Sequence, residues 1–191
     1  MKKNNSNKIW IRSAIIAAVC FTVVYILFLS GVFNYLECKT YDNRMVTTSS
    51  FFRADDDIIL ITIDQESLDW AKETMGWSWP WPREAYADII EFLNAGDVNS
   101  IGFDIVYTEP SLYGDEDDFI LSEAEKEAGN VIQIMFVDYN AGKSSFLYPI
   151  DIIKDEAAII ANVTSSFDDD DVIRRSRVYF EYDGKKYPSL G

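Results

Sequence analysis

From Ser13 to Leu36 the chain carries no charged residue. The apolar stretch Ala14 to Phe33 is 20 residues long, and as a helix it would span roughly 30 Å, the thickness of a bilayer core. The stretch also divides the charge. Lys2, Lys3, Lys8 and Arg12 precede it, with no acidic residue before Glu37. The other 13 basic and all 32 acidic residues follow, a net of −19 in a chain that totals −15. Two compartments account for this split. Basic residues before a spanning helix favour the cytoplasmic side, which leaves the acidic remainder outside. A cleaved signal peptide is the rival reading, but its apolar region is usually shorter and no clear small-x-small site follows this one. The expected organisation is a cytoplasmic N-terminus (1–12), a transmembrane anchor (13–36), a juxtamembrane stalk (37–54) and an extracytoplasmic domain (55–191). The expected location is the cytoplasmic (inner) membrane, crossed once.

Composition narrows the function. An acidic surface repels phosphate backbones, so nucleic acid is not an expected partner. There is no histidine, and no activated serine or cysteine constellation is visible. No glycine loop of the phosphate-cradling type occurs. Cys20 and Cys38 would lie about 27 Å apart on a continuous helix, too far to form a disulfide. No cofactor is expected.

Beyond the stalk, Ile58 to Ile63 is an apolar run rich in branched residues and is predicted to be a strand buried on both faces. Residues 65–75 read as a helix ended by Gly76. Residues 82–96 read as a second helix, with Pro82 in its first turn and Ala85, Ile89, Phe92 and Leu93 as its apolar stripe. "SIGFDIVY" (100–107) is a second predicted strand, 117–130 a third helix, and "VIQIMFV" (131–137) a third strand. This alternation predicts an α/β fold with a mostly parallel sheet flanked by helices. The Asp-Gly in "VYFEYDGKKYPS" predicts an antiparallel C-terminal hairpin at the sheet edge.

Several segments in this order are similar to one family: "YLECKTYDNRM", "DDDIILITIDQESL", "WSWPWPREAYADIIEFLNAG", "IGFDIVYTEP", "ANVTSSFDDDDVIRRSRVYF" and "DGKKYPSLG". The chain from Tyr35 to Gly191 resembles the type-two CHASE domain, an extracytoplasmic sensor module of bacterial transmembrane receptors. The resemblance implies a sensory role coupled to a cytoplasmic cyclase or kinase, a small-molecule or protein ligand, and a homodimer. The family normally runs on from "YPSLG" through a further helix to the membrane. The chain is therefore expected to be a fragment, or a receptor without its output.

Six residues are candidates for a ligand site. In "WSWPWPRE", Trp79 and Trp81 each precede a proline, which pushes them into extended conformations. Trp77, Trp79 and Trp81 are two residues apart and are expected on one side. They form either a structural cover over one end of the core or a ligand wall with Arg83 beside it. Asp64 and Glu109 follow predicted strands, where open α/β sheets bind ligands. Asp104 falls inside a predicted buried strand and needs a partner, for which Arg83 is the candidate. Asp64, Asp104 and Glu109 could alternatively hold Mg²⁺. A metal-assisted hydrolase and an anchored scaffold are thus the competing functions. "DDDD" (168–171) lacks the glycine and spacing of an EF-hand loop and reads as a solvated turn.

Overall fold

A computed structural model describes residues 3–53, 55, 57–140, 143–165, 167–182 and 184–190. The chain divides into two compact units, Met1–Thr62 and Ile63–Gly191.

In the first unit, helix α1 runs Lys3–Leu29. Its segment Ile9–Leu29, 21 residues, is long and apolar enough to cross a membrane. The uncharged run continues to Leu36, yet the helix is interrupted at Gly31. That residue sits at φ 76°, a left-handed value that glycine adopts without steric cost. Helix α2 then spans Val32–Ser49, so the expected stalk is helical for most of its length. Cys20 and Cys38 are both free thiols.

The first predicted strand is not formed. Ile58, Ile59, Leu60 and Ile61 lie in irregular backbone and are exposed, Leu60 to 85%. Branched residues supply β propensity, but a strand exists only in a ladder, and this segment pairs with no described strand.

In the second unit, Asp64 starts helix α3 (Gln65–Trp70), which passes into a π-helical turn, Ala71–Met75, closed by Gly76 at φ 73°. Helix α4 covers Arg83–Ala95 and α5 covers Asp115–Ala128, both as predicted within two residues. Between them the second predicted strand shrinks to β1, Ile101–Gly102. After Phe103 bonds to Ile132, the chain leaves the sheet.

Strand β2, Val131–Asn140, is the spine of the sheet. Its first half pairs in parallel with β1 on one edge and with β4 (Ile159–Asn162) on the other. Its second half pairs antiparallel with β3, Lys143–Leu147, in a register that sets Val137 opposite Phe146. The sheet is therefore mixed, not mostly parallel. The expectation failed because β2 runs three residues past its predicted end and folds back. Helix α6, Asp151–Lys154, joins β3 to β4. The C-terminal hairpin is present as β5 (Tyr179–Tyr182) and β6 (Lys185–Pro188), antiparallel. Asp183 of its turn lies outside the described residues.

Two apolar clusters hold this unit. One gathers Tyr86, Ala87 and Ile90 of α4, Leu121 and Ala124 of α5, Val131 of β2, and Phe103 and Tyr107. The other joins Met135 and Val137 of β2 to Tyr187 of β6. Each fully buried large side chain contributes about 1.5–3 kcal/mol. These packed elements form the support for the segments 77–82 and 104–113.

Candidate functional site

Helix α4 has an N-terminus that cannot cap itself. The residue before it is Pro82, which has no capping side chain. The first turn of an α-helix leaves unpaired N–H groups that need acceptors. Here they come from the start of α5. The Asp117 carboxylate accepts from the backbone N–H of Arg83 at 2.7 Å and of Glu84 at 3.0 Å, and also from the Ser111 hydroxyl. Asp118 accepts from the Arg83 side chain (Nε, 3.1 Å) and from the Ser111 N–H (2.8 Å). Arg83 also donates from Nη2 to the Glu109 carbonyl at 3.1 Å. Its guanidinium lies 4.1 Å from the centre of the Tyr107 ring, a cation–π contact. Arg83, Asp117 and Asp118 are all buried.

This network pins the loop Glu109–Ser111 beside the tryptophan segment. Between them is a cavity of about 400 Å³, lined by Trp79, Pro80, Trp81, Arg83 and Tyr86 and by residues 105–113. That volume lies within the range of small-molecule sites, ~300–1,000 Å³. Trp79 and Trp81 meet edge to face with ring centres 6.2 Å apart. The Trp79–Pro80 peptide bond is cis. Trp81 continues into the core against Tyr86, whereas Trp79 is 54% exposed. Trp77 does not line the cavity, so the three tryptophans do not share one side. The Trp81 indole N–H and the Tyr107 hydroxyl are shielded from solvent and lack hydrogen-bond partners. Burial raises the Tyr86 hydroxyl to about 12 and pushes Tyr107 well above its ordinary value, although Arg83 pulls both down. Both phenols remain neutral donors at ordinary pH.

Of the six sequence candidates, Trp79, Trp81, Arg83 and Glu109 come together here. Asp64 does not line this cavity. It caps α3, accepting from the Ser67 N–H (2.9 Å) and hydroxyl (2.8 Å), and these bonds lower its pKa. It does line a shallow hollow with Trp70 and Trp81. Asp104 belongs to neither hollow. It is exposed, and Arg83 is paired with Asp118 instead. The reason is the early end of β1: residues beyond Phe103 leave the sheet, so no carboxylate is buried at 104. Among the described residues no group of three or more His, Cys, Asp and Glu could hold a metal ion.

Asp117 and Asp118, in the run "DEDD", were not among the candidates, yet both are inside. The available signal was Pro82 itself, since a helix that starts after proline must borrow its acceptors. A second missed group is Glu125 of α5, fully buried, with Oε1 accepting from the Gln133 amide at 2.6 Å and Oε2 unpartnered. Burial lifts its pKa to about 7, partly offset by that hydrogen bond. "DDDD" is more than a solvated turn, because Arg174 reaches Asp168 at 3.0 Å and Asp170 at 2.6 Å.

No curated protein matched the chain, and no solved structure did. The family model of the CHASE2 domain, an extracytoplasmic sensory domain of signal-transduction receptors, matches residues 17–191, and the chain belongs to that family.

Proposed function

We propose that this chain is the sensory part of a bacterial transmembrane receptor and crosses the inner membrane once, with its N-terminus in the cytoplasm, its domain outside, and a cytoplasmic cyclase or kinase as the receptor's output. It works as a homodimer and binds its signal in the aromatic cavity; its role is recognition, not catalysis. One observation carries the ligand assignment: a roughly 400 Å³ hollow is walled by Trp79, Trp81 and Tyr107 with Arg83 beside them, and Trp79 is half-exposed. An aromatic wall of this kind receives a flat apolar face. The signal is therefore a small molecule with a flat apolar body. Binding would drive signalling only by favouring one of two conformations.

The hydrolase reading has less support, because Asp64 and Glu109 line different hollows and Asp104 lines neither. The test is a metabolite screen against the full chain in non-ionic detergent, read by tryptophan fluorescence and thermal shift. A hit should lose its fluorescence response in Trp79→Phe and its affinity in Trp79→Ala. A folded protein that gives no response across the screen leaves Trp79 and Trp81 as a structural cover and favours a protein partner as the signal.

A further inference from the structure

A second hollow, of about 310 Å³, opens just past the carboxyl end of β4. Thr164, Ser165, Arg175, Ser176, Arg177, Phe180 and Ser189 line it. Its frame is fixed by the sheet. The Thr164 N–H donates to Asn162 Oδ1 at 3.2 Å, and the Thr164 hydroxyl accepts from the Val137 N–H at 2.8 Å. Ser189 donates its N–H to the Val178 carbonyl at 3.0 Å and bridges to Asn162. The Thr164 hydroxyl proton is left over from its bond to Val137, and the Ser165, Ser176 and Ser189 hydroxyls make no hydrogen bond among the described residues.

The two arginines are the unusual feature. The chain carries 32 acidic residues against 17 basic ones, so an unneutralised guanidinium pair goes against its composition. The neighbouring Arg174 is bound to Asp168 and Asp170. Arg175 and Arg177 pair with no carboxylate among the described residues; Arg177 only approaches the Phe180 ring, at 6.0 Å. The acid run thus occupies one arginine and leaves the other two, both exposed, lining the hollow with hydroxyl-bearing residues. Planar guanidinium forks with hydroxyl donors match the oxygens of phosphate and carboxylate groups. The position beyond the end of a parallel strand is where open α/β sheets receive ligands.

We propose that this hollow is a second binding site, distinct from the aromatic cavity, for a compact soluble oxyanion of at least two charges held between Arg175 and Arg177. Inorganic phosphate and malonate are the probes for the phosphoryl and carboxylate arms. They would be titrated calorimetrically into the full chain in non-ionic detergent, at ionic strength held constant with chloride. The expected result is saturable binding of at least one probe, about tenfold or more weaker in Arg175→Gln and in Arg177→Gln, since one charge-assisted hydrogen bond is worth at least that factor. Preference for phosphate assigns the phosphoryl source, and preference for malonate the carboxylate source. Thermal melts in chloride alone check that each variant is folded. Failure of both probes to saturate, or unchanged binding in folded arginine variants, overturns the site. Neither result bears on the aromatic cavity, which is read through Trp79.

Discussion

Asp117 caps a helix to which it does not belong. Its carboxylate takes the first two N–H groups of α4, from Arg83 and Glu84, across 34 and 33 residues of sequence. The same charge lies in the first turn of α5, so it also complements the dipole of its own helix. Loss of an N-cap costs about 0.5–2 kcal/mol, and here the Ser111 hydroxyl loses its acceptor as well. Asp117→Ala should therefore lower unfolding stability by about 2 kcal/mol or more, measured by urea titration of the full chain. Asp117→Asn keeps one acceptor oxygen and should cost less. Equal stability in all three proteins would remove the capping role.

Arg83 and Asp118 form a buried pair, and breaking one side leaves the other charged and uncompensated. Arg83→Ala or Asp118→Ala should each cost roughly 3–5 kcal/mol. The double variant should cost clearly less than the sum, because no orphan charge remains. Arg83→Lys keeps the charge but cannot serve Asp118 and the Glu109 carbonyl from one planar fork, so it should also destabilise. Asp104→Asn is the control. Its side chain is exposed, and the change should stay within about 0.5 kcal/mol.

The proposed membrane arrangement rests on Ile9–Leu29 and the basic residues around its start. An alkaline phosphatase fused after residue 60 should be active, and a reporter that works only in the cytoplasm should be silent there. The opposite pattern reverses the proposed orientation.

Helices with a clear apolar stripe were legible in the sequence. Helix α4 was read from Ala85, Ile89, Phe92 and Leu93 and ended by Gly96, and it forms between residues 83 and 95, but Phe92 is exposed and its buried face is Ala85, Tyr86, Ala87 and Ile90. The hairpin was legible from its Asp-Gly turn. Strands were harder to read, because a strand depends on partners far away in sequence. Ile58–Ile63 has strand propensity but no partner, while Ile159–Asn162, a short run, becomes a strand because β2 offers it an edge. The site was half legible. Aromatic and arginine residues near "WPWPR" indicated the cavity, but nothing local singled out Asp117 and Asp118. Their burial depends on α5 packing against α4, a long-range contact that local composition does not encode.

Glu125 gives the domain a pH-dependent contribution to stability near neutrality. Its carboxyl is fully buried and its pKa is raised to about 7, from 4.5 in the unfolded chain. It faces Gln133 of β2, which donates to Oε1, and Tyr107, whose own pKa its charge raises. Between pH 4.5 and 7 the folded chain holds this proton more tightly than the unfolded chain does. Stability from this group is therefore full below that window, falls as pH rises through it, and is level above it. A shift of this size corresponds to about 3 kcal/mol. Glu125→Gln removes the ionisation and keeps the shape. Its carbonyl can still accept from Gln133, and its amide can donate to Gln133 Oε1 or Tyr107, both of which now lack partners. The variant should match the native chain near pH 5 and exceed it by about 3 kcal/mol at pH 8, measured by urea unfolding at both values. Parallel curves for the two proteins across this range would show that Glu125 does not titrate in the fold near neutrality.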